Sequence, residues 1–221
     1  MSINVEVARA QMVNQQVRAW DVLDPAVLGV LTEIPREQFV PARFRNLAFA
    51  DTEIPLGSGN CGQSMMTPQV EGRLLQALTL RATDRVLEVG TGSGFLTACL
   101  ARLTGQVTSL EILPELADSA RRNLRGVSTW NAEVRTEDVF SFLPGGTYDV
   151  IAVTGSVPEP DDRFQHWLAD GGRLFQVTGE GPLMEARLLT RQGPAQWSTT
   201  TLFETSLPAL LNASTRSKFI F

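Results

Sequence analysis

The stretch Val86-Leu87-Glu88-Val89-Gly90-Thr91-Gly92-Ser93-Gly94 constrains this chain more than any other. A run short enough for a buried strand ends in three glycines set one residue apart, and a helical pattern opens at Phe95. Glycine adopts positive φ at little steric cost and lets another group come close to the backbone. The following helix leaves its first N–H groups free to meet an anion. A strand that turns this way into a helix begins a βαβ unit, and open α/β sheets bind ligands beyond the C-terminal ends of their strands.

The chain beyond residue 84 agrees. Residues 85–89, 106–110, 132–135, 148–153 and 172–177 read as strands, alternating with helical patterns at 95–103, 114–124 and 161–168. That alternation predicts a Rossmann-like, mostly parallel sheet. The tail changes rhythm. Residues 184–190 and 197–205 read as antiparallel strands joined by a hairpin-like connection, with Trp197 and Phe203 packing that end of the sheet and 219–221 as a last strand segment. Before residue 80 the pattern is helical: 5–18, a helix capped by Asp24-Pro25 that ends before Pro35, a short element from Phe39, and 69–78. Between them, residues 51–68 form a glycine-dense loop with little periodicity, of the kind that is functional or mobile. Residues 1–79 therefore read as a helical cap carrying an active-site loop, and 80–221 as the core of one compact unit.

The glycine spacing discriminates between cofactors. Dinucleotide sites use G-x-G-x-x-G; here the third dinucleotide glycine would fall on Phe95, and Glu88 before the turn would repel a pyrophosphate. S-adenosylmethionine has no phosphate and carries an amino group and a sulfonium, so a neighbouring carboxylate suits it. Glu111 ends the second strand, 21 residues after Gly90, where it can accept from both ribose hydroxyls. Asp138 follows the third strand, where a carboxylate can meet an adenine amine, with Glu137 beside it as a rival. Thr154 follows the fourth strand and is a candidate for the acceptor pocket.

Composition removes other classes. The 221 residues are 43% hydrophobic and 19% charged with a net charge of −5, so the chain is not disordered and offers no basic face for nucleic acid. No run of about 18 apolar residues is present to span a membrane, and no signal peptide is recognisable. Two cysteines far apart, Cys61 and Cys99, and one histidine, His166, give no metal-ligand spacing. A cytoplasmic location and chemistry without metal, imidazole or thiolate are expected, with Cys99 and His166 structural and Cys61 a weak redox candidate.

At Met12-Val13-Asn14-Gln15-Gln16-Val17-Arg18, Ile34-Pro35-Arg36-Glu37-Gln38-Phe39-Val40-Pro41, Ala48–Asp51 with Ile54–Gly57, and Gly94-Phe95-Leu96-Thr97-Ala98-Cys99-Leu100-Ala101-Arg102, the chain resembles the protein-L-isoaspartate O-methyltransferases. These belong to the class I S-adenosylmethionine-dependent enzymes. The resemblance implies methylation of the free carboxylate of L-isoaspartyl residues in damaged proteins or peptides, with S-adenosylhomocysteine as product. It assigns Glu88, Gly90, Gly92 and Gly94 to the methionine part of the cofactor, Glu111 to ribose and Asp138 to adenine, with Gln63, Ser64 and Thr91 also cofactor-binding. Ser64, Met66, Thr67 and Thr154 would face the acceptor.

The chain departs from the family at two places. Gly62-Gln63-Ser64-Met65-Met66-Thr67-Pro68 carries Met66 where the family has its active-site serine, so no catalytic residue is assigned. Ser206-Leu207-Pro208-Ala209 keeps only the proline of the family's C-terminal segment. A diverged paralogue with another acceptor and a catalytically silent cofactor-binding protein are the alternatives that Met66 motivates.

Overall fold

A computed structural model describes residues 4–58 and 62–213; Cys61 and the strand expected at 219–221 lie outside the described residues. In the cap, α1 (Val5–Gln11) continues as a π-helical stretch, Met12–Val17, and a 3-10 turn, Arg18–Trp20, where an unbroken helix was expected. The wider turn brings Met12, Val13 and Val17 inward together. Helix α2 (Pro25–Glu33) starts as predicted: the Asp24 carboxylate accepts from the N–H groups of Ala26 and Val27, with proline at the first helical position. Helix α3 (Arg36–Phe39) and a 3-10 turn at Ala42–Leu47 follow. The long loop contains a small antiparallel ladder, β1 (Ile54–Pro55) on β2 (Ser64–Met65), before α4 (Pro68–Ala77).

The core is one sheet of β3 (Arg85–Val89), β4 (Gln106–Glu111), β5 (Ala132–Thr136), β6 (Tyr148–Val157), β7 (Leu168–Thr178), β8 (Met184–Gly193) and β9 (Gln196–Thr205). Helices α5 (Phe95–Leu103), α6 (Pro114–Gly126) and α7 (Asp162–His166) connect them. The strand order is β5-β4-β3-β6-β7-β8-β9. The first five strands in that order are parallel, and β8 and β9 are antiparallel, as the alternation predicts. β3 and β6 are neighbours although β4 and β5 lie between them in sequence, so strand order reverses between them and a crevice opens at their C-terminal ends.

Two strands run longer than their apolar runs suggest. β6 continues to Val157 through a register shift between Ala152 and Ser156, which places Thr154 and Gly155 at the crevice. β7 begins at Leu168, shortening the expected helix at 161–168. Cap and core share one hydrophobic cluster that runs from Met12 through Phe95 to Leu207. Gly72 lets the cap close on α4, since a Cβ there would lie 2.8 Å from Val17. Cys99 is buried in the same cluster, and Phe203 packs against Trp20 and Phe175. Among the described residues, no helix is long and apolar enough to cross a membrane.

Candidate active site

The crevice holds a cavity walled by Gly90, Gly92, Glu111, Asp138, Thr154 and the strap after β9. An adjoining cavity shares Leu56, Ser64, Gly90, Gly92 and Thr154, and adds Met65, Met66, Glu71, Thr91 and Ser93.

The first glycine is required by its neighbour. Gly90 has φ 96°, and a Cβ there would lie 2.5 Å from Thr154 Oγ1. That hydroxyl sits 2.8 Å from the Val89 carbonyl and 2.7 Å from the Gly90 carbonyl, and its single proton is shared between them. Thr154 thus ties β6 to the turn across the switch point. Gly92 donates its N–H to Glu111 Oε2 at 2.8 Å, and Leu113 donates to Oε1 at 3.1 Å. Burial raises the pKa of Glu111 against these backbone donors, which lower it. Asp138 Oδ1 accepts from the Phe140 N–H at 2.8 Å. Glu137 also lines the cavity. Among the described residues, no Lys, Arg or His lines either cavity, whereas four carboxylates do: Glu71, Glu111, Glu137 and Asp138.

The site therefore brings together Gln63, Ser64, Met66, Gly90, Thr91, Gly92, Glu111, Asp138 and Thr154. Ser64 Oγ donates to Glu53 Oε2 at 2.9 Å. Three other expected residues lie elsewhere. Gly94 (φ 85°) caps α5 and packs on Ala120, so it serves helix packing. Thr67 precedes α4 and lines neither cavity. Glu88 lies on the α5 face of the sheet, fully buried, where Thr97 Oγ1 (2.5 Å) and Ser109 Oγ (2.6 Å) donate to its Oε2. Its Oε1 has no partner. Burial pushes its pKa up to about 7 against those two hydroxyls. Ser109 in turn meets Thr91 Oγ1 at 2.6 Å, so Glu88 reaches the turn through two hydroxyls rather than through the cavity.

Arg36 is a residue that sequence reasoning passed over. It is fully buried: Nε donates to the Ala48 carbonyl (3.0 Å), Nη2 to the Met66 carbonyl (2.8 Å), and Nη1 to Glu71 Oε2. Its guanidinium lies 4.8 Å from the centre of the Phe95 ring. One cation thus joins the cap, the acceptor loop, α4 and the first residue of α5. Burial raises the pKa of Glu71, and the Arg36 charge opposes it. The only signal for this in the sequence is an arginine flanked by Pro35 and a helical run.

A profile described as protein-L-isoaspartate(D-aspartate) O-methyltransferase (PCMT) matches residues 8–206. The chain is 39% identical to protein-L-isoaspartate O-methyltransferase 1 of Rhodopseudomonas palustris over 172 residues, covering 77% of this chain and 69% of that one. It is 40% identical to protein-L-isoaspartate O-methyltransferase 1 of an Anaeromyxobacter species over 183 residues, covering 82% of each. A Plasmodium falciparum protein described as a beta-aspartate methyltransferase, crystallised with S-adenosyl-L-homocysteine, superimposes with a TM-score of 0.79. That match covers 91% of this chain and 97% of the other at 18% identity, a likeness of fold.

Proposed function

The chain belongs to the protein-L-isoaspartate O-methyltransferase family, and on that premise we propose how its residues divide the work. It is an S-adenosylmethionine-dependent methyltransferase that acts on L-isoaspartyl residues of damaged proteins. The observation that carries this reading is the joined cavity: three strand ends with glycines and carboxylates on one side, and the loop bearing Ser64 and Met66 on the other. We place the enzyme in the cytoplasm, where its thiols stay reduced and protein substrates are at hand. We assign residues 1–79 to the cap and 80–221 to the core.

The residues present fit the cofactor. Gly90 and Gly92 line the cavity where a Cβ would press on Thr154 and Leu56, so the bare backbone faces it, and among the described residues the lining carries carboxylates and no cation. When bound, the cofactor supplies a methyl group on a cationic sulfur. The Gly90–Gly92 backbone with Thr91 holds its methionine part, Glu111 accepts from the ribose hydroxyls, and Asp138 accepts from the adenine amine. Each Glu111 oxygen has a lone pair left after its backbone bond. Gln63 and Ser64 close the loop side. Glu88 acts at one remove, keeping Thr91 in place through Ser109.

An acceptor carboxylate has an ordinary pKa near 4 and arrives ionised, so this chain needs no general base. Its task is alignment to about 3–3.5 Å and exclusion of water. Thr154 and the Arg36-held loop at Met66 set the acceptor side. Met66 contributes shape, since a thioether is a very weak acceptor and no donor.

The test is a methyl-transfer assay with an isoaspartyl peptide and its aspartyl counterpart. Turnover confined to the isoaspartyl peptide is expected. Cofactor binding with no turnover of either peptide would leave only the alternatives that Met66 motivates.

A further inference from the structure

The chain after β9 turns back over the cavity. The Ser156 N–H donates to the Pro208 carbonyl at 2.9 Å, and the Leu210 N–H donates to the Ser156 carbonyl at 2.9 Å. Ser156 Oγ donates to the Leu207 carbonyl at 3.0 Å. Gly155 makes room for this strap, because a Cβ there would lie 2.7 Å from Leu210 Cδ2. Held this way, Pro208, Leu210 and Leu211 share a wall with Asp138. The next residue, Asn212, takes the left-handed conformation (φ 66°) and donates from Nδ2 to Asp138 Oδ2 at 2.8 Å. A carboxylate only accepts, so the atom facing it is the amide nitrogen. The –NH₂ of a primary amide and the exocyclic amine of adenine are donors of the same kind. Leu211, the residue before Asn212, lines the cavity beside Asp138, so the strap tip brings the amide to the rim of that cavity.

We propose that the Asn212 amide and the adenine amine compete for the same lone pair of Asp138 Oδ2, so that pairing the amine with Asp138 requires the strap tip to let go, whereas a purine with no amine there has nothing to displace. The inference rests on the assignment of Asp138 to adenine above. Latching lowers the apparent affinity by the fraction of molecules that are open. The bond is a single exposed one, so removing it tightens binding by about 3- to 10-fold.

Calorimetry with S-adenosylhomocysteine and its hypoxanthine counterpart, which has an oxygen in place of the amine, tests this on the whole chain. Asn212→Gly keeps the left-handed backbone and removes the amide. It should tighten S-adenosylhomocysteine by that factor and leave the hypoxanthine compound no tighter. Unchanged or weaker S-adenosylhomocysteine binding, or equal tightening of both, overturns the competition. Adding Asp138→Asn to Asn212→Gly checks the premise. S-adenosylhomocysteine should bind several-fold more weakly than to Asn212→Gly alone. Equal binding means that Asp138 does not hold adenine. Weakening there, with no gain from Asn212→Gly, keeps the adenine assignment and ends the competition.

Discussion

Glu88 is the residue whose surroundings depart furthest from ordinary carboxylate chemistry. It is fully buried with two hydroxyl donors on one oxygen and, among the described residues, none on the other, and burial pushes its pKa up to about 7. The fold holds the acid form, so the folded chain binds that proton more tightly than the unfolded one. The resulting stability is complete below the ordinary carboxylate range and is lost as pH rises through 7, by roughly 3 kcal/mol. Glu88→Gln keeps an accepting oxygen and removes the titration. Its unfolding free energy relative to wild type should therefore rise between pH 4 and 8, and parallel urea-melt curves for the two proteins would contradict it. Met66 is the other residue with a sharp expectation. Met66→Ser restores a hydroxyl to the acceptor side and removes a buried side chain, 8% exposed, from the core. We expect KM for an isoaspartyl peptide to fall by about 3- to 10-fold, and stability to fall by about 1–3 kcal/mol; steady-state kinetics and melts read the two effects separately.

Among the elements, α3, α4 and the acceptor loop depend on one buried ion pair. Arg36→Met leaves Glu71 buried without its counter-charge, at an expected cost of about 3–5 kcal/mol. Arg36→Met with Glu71→Met should recover most of that stability while KM for peptide stays high, because nothing then holds the Met66 carbonyl. A double variant as active as wild type would show the pair to be scaffolding only. What the sequence reveals at this scale follows the range of the forces involved. The start of α2 at Asp24-Pro25, the glycine turn and the alternating strands depend on near neighbours, so they are legible. The Arg36–Glu71 pair spans 35 positions and the Asn212–Asp138 contact spans 74, and neither leaves a local pattern. The face on which Glu88 sits was equally hidden. Its strand is buried on both sides, so alternation carries no signal there. The extension of β6 through Thr154 depends on its pairing with β7, which a single strand cannot show.

For the molecule as a whole, cap, loop, core and strap meet at one cavity, so a ligand that fills it should stabilise all of them together. S-adenosylhomocysteine at 100 times its Kd adds about 2.7 kcal/mol. For a chain of this length that raises Tm by about 5–10 °C, measurable by calorimetry. A shift confined to a partial transition would mean that the cap melts separately.

Arg36 also bears on how the chain is made. Every group it binds lies after it in sequence: Ala48, Met66, Glu71 and Phe95. A guanidinium stays charged at any physiological pH, so it cannot be buried before a counter-charge arrives. Glu71 leaves the ribosome 35 residues later, roughly 2–7 s at ordinary synthesis rates. Through that interval the emerging cap must keep its arginine in water, and its apolar faces wait unpaired for the rest of the chain.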